Sequence, residues 1–255
     1  MWDKVDSVLA RMTPITLPQM KDIRLMDRLD FKFVASAALL PDLLEEMESD
    51  FMVQEAHNTR MAPYSTQYFD TPDMGFYTMH QNGKLNRQKI RIRSYVDANE
   101  SFLEVKNKSN KGRTKKIRVP FDFQRIDSIG ELSEKKEFLT NHSIFDVNSL
   151  IPTLENSFRR ITFANKNKTE RITLDTNLSF FNSKTNERCD LEPFMILELK
   201  QNGYAHSHFH DIARKLNIKP TAFSKYCTGI VMTDSDAKYN RFKKRLILLN
   251  KLINQ

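Results

Sequence analysis

Apolar and charged residues alternate in seven segments of the chain, and this pattern predicts seven β-strands with one apolar and one charged face each. Residues 88–96 are the clearest example, because Lys89, Arg91 and Arg93 fall on one face and Ile90 and Ile92 on the other. The remaining six strands are predicted at 27–36, 101–108, 114–121, 157–165, 169–178 and 193–200. A further strand is predicted at 64–71, where it ends in the turn sequence TPD.

Segments with helical periodicity alternate with these strands. They lie at 3–12, 36–49, 76–83 (a short helix or a turn), 204–217, 222–232 and 237–255, with two short helical segments within 131–151. Ser36 or Asp42 is placed to cap the second helix, and Gly83 is placed to end the third. Strands joined mostly by short turns, with occasional helices between them, predict an α+β fold built on an antiparallel sheet or barrel.

Neither a repeat, a Ser/Gly-rich linker nor an abrupt change of composition divides the sequence. We therefore expect one domain over residues 1–255, with helical extensions at 1–23 and 233–255. The two cysteines, Cys189 and Cys227, do not have metal-ligand spacing, which favours a reduced, cytoplasmic setting. We expect no signal peptide and no transmembrane segment, because the sequence has neither a signal-like start nor a long apolar run.

Lysines and arginines outnumber aspartates and glutamates by 40 to 32, and the isoelectric point is about 9.4. This balance favours an anionic partner: a nucleic acid, a phosphate compound or an anionic membrane surface.

The charged strand faces have two interpretations. An ordinary antiparallel sheet turns its charged face to solvent and packs its apolar face inward. Alternatively, the strands close into a barrel with the charged rows inside and the apolar rows covered by helices. Arginines are frequent on these faces, and an enclosed row of cations is stable only when it holds a polyanion. Phosphate groups suit arginine best, and the few carboxylates would hold a divalent cation.

Several motifs together resemble the catalytic domain of the VTC (vacuolar transporter chaperone) family, within the CYTH-like triphosphate tunnel metalloenzymes. They are RLDFKF, YFDTPD, KLNRQKIRIRSY, FLEVKNKSNKGRTKK, RRITF, ERITLDTNLSF, ILELK and FSKYCTG, and they extend from about residue 24 to 232. The resemblance implies a closed antiparallel β-barrel, or tunnel, with a basic lumen and flanking helices. It also implies a single VTC-type domain.

Carried over position by position, the resemblance assigns phosphate binding and catalysis to Arg91, Arg93, Arg160 and Arg171. It assigns Glu198 to the metal, which would be Mn²⁺ or Mg²⁺. The substrate-binding cations are Lys32, Lys106, Lys200 and Lys225, and the charged strand faces add Arg28, Lys116 and Arg118.

The expected function is a metal-dependent, polyphosphate polymerase-like phosphotransfer between a nucleoside triphosphate and polyphosphate. Ala222 stands where the eukaryotic Lys-Phe-Ser-Lys motif has its first lysine, which keeps a non-catalytic module for polyphosphate or inorganic triphosphate as an alternative. A tunnel triphosphatase is a second alternative, although Arg28 and Asp30 replace the paired glutamates of its ExExK motif. Nucleic-acid binding ranks last, because few aromatic residues accompany the basic rows.

Three other features have more ordinary interpretations. His206, His208 and His210 are expected on the surface or in packing rather than at a metal. Residues 107–118 are expected to form a solvated hairpin around Asn110, Lys111 and Gly112. The basic C-terminal helix would pack its Leu and Ile side on the barrel, or lie on the inner face of a membrane beside a membrane-protein partner. Its cations are Lys238, Arg241, Lys243, Lys244 and Arg245.

Overall fold

The computed structural model describes residues 1–23, 25, 28–111, 114–122, 135–204 and 206–253. Its α-helices are α1 (Trp2–Arg11), α2 (Leu17–Asp22), α3 (Leu40–Met47), α4 (Gly75–Gln81), α5 (Lys136–Thr140), α6 (His208–Lys215), α7 (Lys225–Thr233) and α8 (Lys243–Ile253). Its strands are β1 (Pro14–Thr16), β2 (Arg28–Ser36), β3 (Phe51–Glu55), β4 (Ala62–Asp70), β5 (Arg87–Tyr95), β6 (Glu100–Lys108), β7 (Thr114–Phe121), β8 (Ile151–Asn165), β9 (Glu170–Asn182), β10 (Arg188–Leu191) and β11 (Phe194–Asn202).

The main sheet is antiparallel and has the strand order β2-β11-β9-β8-β4-β5-β6-β7. Strand β10 pairs antiparallel with the end of β9, β3 pairs with β8, and β1 adds a short parallel strand to β3. The pairings of the described strands end at β2 on one side and at β7 on the other. The wall formed in this way is strongly curled, with its charged rows on the concave side.

Two residues at the N-terminus of α7, Ser224 and Lys225, show the curl of the sheet through their contacts. The Ser224 hydroxyl accepts a 2.8 Å hydrogen bond from Lys89 on β5, and Lys225 pairs with Asp175 on β9. Strands β8 and β4 separate β5 from β9 in the sheet. One helix terminus therefore reaches both strands only because the sheet wraps around it.

The apolar faces of the strands point outward and are covered by helices. Phe33, Ile161, Ile172 and Leu197 join one core under α1, α3 and α6, and all four are fully buried. A second core contains Ile90, Ile92, Leu103 and Val105, and it packs against side chains of α4 and α5. Burial of each such side chain stabilises the fold by about 1.5–3 kcal/mol, so both layers of helix are firmly attached.

Helix α7 lies on the concave side, where it fills one part of the space that the sheet encloses. Its Tyr226, Cys227 and Ile230 pack against β8 and β9, next to Leu154 and Phe180. The Tyr226 hydroxyl also donates a hydrogen bond to Asp70 at the end of β4.

Asp70 in turn accepts hydrogen bonds from the backbone N–H groups of Phe76 and Tyr77 in the first turn of α4. One buried carboxylate thus ties α7 to the sheet and to α4.

The predicted α+β class, the antiparallel sheet, its inward-facing charged rows and the flanking helices are confirmed. The strand predicted at 114–121 is found with the same bounds, whereas the strand predicted at 157–165 begins earlier, at Ile151. The helix predicted at 204–217 is shorter, because β11 continues to Asn202 and α6 begins only at His208. Strands β1, β3 and β10 and helix α2 were not predicted, because each has only three to six residues.

Candidate functional site

Eight cationic side chains line the concave wall and form what we call the inner basic cluster. Its members are Lys32, Lys89, Arg91, Arg93, Lys106, Arg160, Lys200 and Lys225. They come from five strands and one helix, since each strand directs every second residue inward. Lys106 of β6 interacts electrostatically with Lys32 of β2 and Glu198 of β11, although these strands lie near opposite ends of the sheet.

Glu104 anchors one side of this cluster. Its fully buried carboxylate accepts hydrogen bonds of 2.9 and 2.7 Å from Nε and Nη2 of Arg91. Lys116 of β7 donates to the other carboxylate oxygen at 2.8 Å. Burial acts to raise the pKa of Glu104, but the charges of Arg91 and Arg93 outweigh it and hold this pKa at about 2. Glu104 therefore stays ionised and fixes the orientation of the Arg91 guanidinium.

Asp175 has the same role on the opposite wall. Its carboxylate accepts hydrogen bonds of 2.6 and 2.8 Å from Nε and Nη2 of Arg160, and it also pairs with Lys225. Burial acts to raise the pKa of Asp175, but Arg160 and Lys225 overcome this and lower it far below the usual range. Lys225 Nζ also lies 4.3 Å from the ring centre of Phe158. Two cations are thus held side by side by one carboxylate.

Glu198 lies between two lysines on the β2–β11 part of the wall. Its Oε1 atom is 2.9 Å from Nζ of Lys32 and 3.4 Å from Nζ of Lys200. Burial acts to raise the pKa of Glu198, but Lys200 and Lys32 lower it well below its ordinary value. Both ion pairs use the same carboxylate oxygen.

Three cations of the inner basic cluster form no ion pair with any residue that the structure describes: Lys89, Arg93 and Lys106. The Nε atom of Arg93 is buried without a hydrogen-bond partner. Burial lowers the pKa of Arg93, and the adjacent charges of Arg91 and Arg160 lower it further. Burial, together with the charges of Arg91 and Lys89, lowers the pKa of Lys106 to about 8. Positive charge is therefore in excess on this wall.

The other predicted site residues lie around the cluster. The Arg171 guanidinium donates to the Met20 carbonyl at 2.6 Å, and Arg171 is the cross-strand partner of Lys200. Arg28 is exposed and pairs with Asp30 at 2.7 Å. Arg118 is an exposed residue of β7, and its guanidinium lies 4.2 Å from the ring centre of Phe102 on β6.

The prediction of site residues omitted Lys89, Glu104 and Asp175. All three lie on inward rows that the alternation identifies, so the sequence contained a signal for them. Tyr68, the cross-strand neighbour of Arg91, was also omitted. Burial acts to raise the pKa of Tyr68, but Arg91, Lys89 and Arg93 lower it overall. The alternation of apolar and charged residues along a strand does not identify a tyrosine as part of a charged wall.

Glu198 could supply one carboxylate ligand to a divalent cation, but the described residues do not supply a complete set of ligands. Among the described residues no group of three His, Cys, Asp or Glu side chains could hold a metal ion. A single carboxylate with one oxygen outside the lysine pairs suits Mg²⁺ or Mn²⁺ that takes its remaining ligands from substrate phosphates and water.

The competing features have ordinary structural roles. His206 pairs with Asp211, His208 pairs with Asp50, and His210 packs edge-on against Phe31. In the hairpin between β6 and β7, the N–H of Asn110 donates to Asn86, while Gly112 lies outside the described residues. Within the described ranges, no helix has the length and apolar character needed to cross a membrane.

A family model described as VTC domain matches residues 27–233. The comparison with curated proteins gives no significant match.

Many solved structures are similar to this chain, and two of them are putative cyclases. A putative adenylate cyclase from Bacillus halodurans is 15% identical with a TM-score of 0.50, and the match covers 85% of this chain and 99% of that one. A putative adenylyl cyclase from Hippeastrum, described as having a dominant triphosphatase activity, is 13% identical with a TM-score of 0.51. That match covers 82% of this chain and 97% of the other. Likeness at this level of identity shows a shared fold.

Proposed function

This chain belongs to the VTC domain family, and on that premise we propose that it is a metal-dependent phosphotransferase acting between a nucleoside triphosphate and polyphosphate. The observation that carries the proposal is the excess of buried cations on the concave wall. Lys89, Arg93 and Lys106 have no carboxylate partner among the described residues, so the cluster needs an external polyanion to balance its charge.

In this reaction the bond between the terminal phosphorus of the nucleoside triphosphate and its bridging oxygen breaks. A new bond forms to a terminal oxygen of the polyphosphate chain, and the nucleoside diphosphate leaves with the bridging oxygen. The attacking oxygen is already anionic, so no general base is required. The main obstacle is repulsion between two polyanions, and fixed cations remove it.

The residues divide this work by position. Arg91 and Arg160 are held rigidly by Glu104 and Asp175, so their guanidinium groups are oriented before a substrate binds. Arg93 has no carboxylate partner among the described residues, so its guanidinium would bind the transferring group. The lysines, among them Lys32, Lys106 and Lys225, would hold the chain, with Arg171, Lys200, Lys116, Arg118 and Arg28 around them. Glu198 would hold Mn²⁺ or Mg²⁺, which would neutralise phosphate charge.

One experiment separates synthesis, hydrolysis and simple binding. The purified chain is incubated with Mn²⁺ and a nucleoside triphosphate labelled at the terminal phosphate, and the products are separated by size. We expect labelled long-chain polyphosphate, and we expect Arg93→Met and Glu198→Gln to reduce its formation by at least about 100-fold. Arg188→Met is the matched control, because Arg188 is an exposed strand arginine that stacks on Phe181 outside the cluster.

A triphosphatase is the second candidate, and Ala222 is the observation that favours it. Ala222 is exposed and supplies no cation at the position where the family motif has a lysine. A chain that is held less firmly leaves water as the competing acceptor. Labelled orthophosphate as the dominant product would support this candidate, and binding without turnover in the presence of metal would support a storage or sensing module instead.

A further inference from the structure

The inner row of cations on β5 continues beyond the inner basic cluster. Arg87, Lys89, Arg91 and Arg93 are alternate residues of one strand, so they point to the same side and span about 20 Å. Lys108, the cross-strand partner of Arg87, extends the adjacent row on β6 in the same direction. Three linked phosphates are shorter than this row.

The short turn Asn240–Phe242 and the first turn of α8 place two more arginines, Arg241 and Arg245, at the end of the row. The Arg241 guanidinium lies against Gly83, in the turn before β5, so closely that a Cβ atom at Gly83 would come within 2.2 Å of it. Arg245 lies 5.3 Å from the ring centre of Phe242, and that ring packs against His80 at the end of α4. Arg87, Lys108, Arg241 and Arg245 are called the outer basic cluster below.

No ion pair between described residues includes a member of the outer basic cluster. Burial lowers the pKa of Arg245, and the charges of Arg241 and Arg87 add to the effect. His80 lies among these cations, and burial together with Lys89 and Arg87 lowers its pKa to about 3. The imidazole is therefore neutral at physiological pH, and the positive charge comes from the arginines and lysines alone.

We infer that Arg87, Lys108, Arg241 and Arg245 form an outer subsite for the part of a linear condensed phosphate that extends past the inner basic cluster. This inference rests on the proposed function and narrows its substrate to chains longer than a triphosphate. The continuity of the basic row favours a linear phosphate chain over an isolated phosphate headgroup as its ligand. Lys89 joins the two clusters in steps of about 7 Å, which one flexible polyanion can follow without a gap.

The test compares the affinities of tripolyphosphate and long-chain polyphosphate for the full chain, by calorimetry at several salt concentrations. The variant is Arg241→Ala/Arg245→Ala. The control is Lys243→Ala/Lys251→Ala, which removes the same charge from exposed positions of α8. We expect the variant to weaken long-chain binding about tenfold and to reduce its salt slope by about two, with tripolyphosphate affinity changed less than about twofold. The control should match the wild type.

Equal losses for both ligands, equal losses in the control, or no loss at all would overturn the inference. Vesicles containing phosphatidylglycerol and free inositol hexakisphosphate are tested in parallel. If the variant keeps its long-chain affinity but loses vesicle binding, the outer basic cluster binds a lipid surface instead. If it loses inositol hexakisphosphate binding, the cluster binds a compact phosphorylated ligand instead. Failure of the wild type to bind tripolyphosphate would contradict the proposed function itself, whereas tripolyphosphate binding with an unaffected variant contradicts only the outer subsite.

Discussion

Asp175 shows how single carboxylates organise the cationic wall. It is almost fully buried and is bound at once by Arg160 and Lys225. Arg160 and Lys225 repel each other less because this carboxylate lies between them. The same carboxylate also competes with any phosphate for those two cations. Asp175 therefore favours the folded state of the free protein and opposes anion binding.

Replacing Asp175 tests this opposition directly. We expect Asp175→Asn to lower the free energy of unfolding by about 3–5 kcal/mol, because two buried cations lose their partner. Tripolyphosphate should bind about tenfold more tightly to the variant and should restore much of the lost stability. Urea unfolding with and without tripolyphosphate measures both effects. Asp190→Asn, which changes an exposed carboxylate on β10, should be nearly neutral, and a loss that tripolyphosphate does not reduce would contradict the competition.

Lys106 predicts a specific pH dependence of binding. Its pKa in the free protein is about 8, so the ammonium form that attracts phosphate is present at pH 7 and is lost as the pH rises. We expect the affinity for tripolyphosphate to fall by up to about tenfold more between pH 7 and 9 in the wild type than in Lys106→Arg, since arginine stays charged. Calorimetric titrations at the two pH values decide the matter. Parallel pH profiles for the two proteins would rule Lys106 out as the titrating group.

At this scale the sequence identified the cations better than their partners. Arg91, Arg93, Arg160 and Lys225 were predicted, and all four lie in the inner basic cluster. Which carboxylate holds which cation depends on strand register, as in the pairing of Arg91 with Glu104, and register is a property of the folded sheet. Arg118 was predicted with the same logic, but its place on the outermost described strand of the sheet leaves it exposed.

Helix α7 is the element that sets the geometry of the cluster from inside. Its first residue, Lys225, contacts Asp175, while its body packs on β8 and β9 through side chains that include Tyr226 and Ile230. Gly229 makes this close approach to the sheet possible. A Cβ atom there would lie 2.5 Å from Leu154 and 2.6 Å from Phe180, both of which are fully buried.

Gly229→Ala should therefore disturb both packing and binding. Alanine favours the helix by about 1 kcal/mol, but overpacking against fixed core side chains costs about 1–3 kcal/mol. We expect a net loss of stability and a several-fold weaker affinity for tripolyphosphate, because Lys225 moves with the helix. Thermal unfolding and calorimetry measure the two effects. Thr228→Ala, at a partly exposed position of the same helix, should change neither, and a more stable Gly229→Ala would show that α7 is loosely packed.

Elements with long periodic patterns were the predictable ones. The regular alternation of Arg87–Tyr95 and Thr114–Phe121 places them within one residue of their observed bounds. Strand β3, with five residues, follows α3 with little separation and is defined by its pairing with β8. Such a contact between distant segments leaves almost no trace in local sequence.

For the whole molecule, the excess of cations predicts strong stabilisation by a bound anion. Tripolyphosphate at about 100 times its dissociation constant should stabilise the fold by about 2.7 kcal/mol, which corresponds to a rise in Tm of roughly 5–10 °C. Sodium chloride at equal ionic strength should give much less, because screening does not supply directed hydrogen bonds. Differential scanning calorimetry provides the measurement. A shift of the same size in chloride, or one that Arg93→Met leaves intact, would mean that the effect does not come from the site.

The pairing of β2 with β11 also has a consequence for how the protein is made. Residues 37–193 must leave the ribosome before Phe194–Asn202 can align with Arg28–Ser36. At about 5–20 residues per second, translation of that interval takes on the order of 10–30 s. By the end of this interval the nascent chain carries six of the eight inner cations without Glu198, the carboxylate that pairs with Lys32. We expect ribosomal RNA and other cellular polyanions to compete for these cations until the finished sheet curls around them.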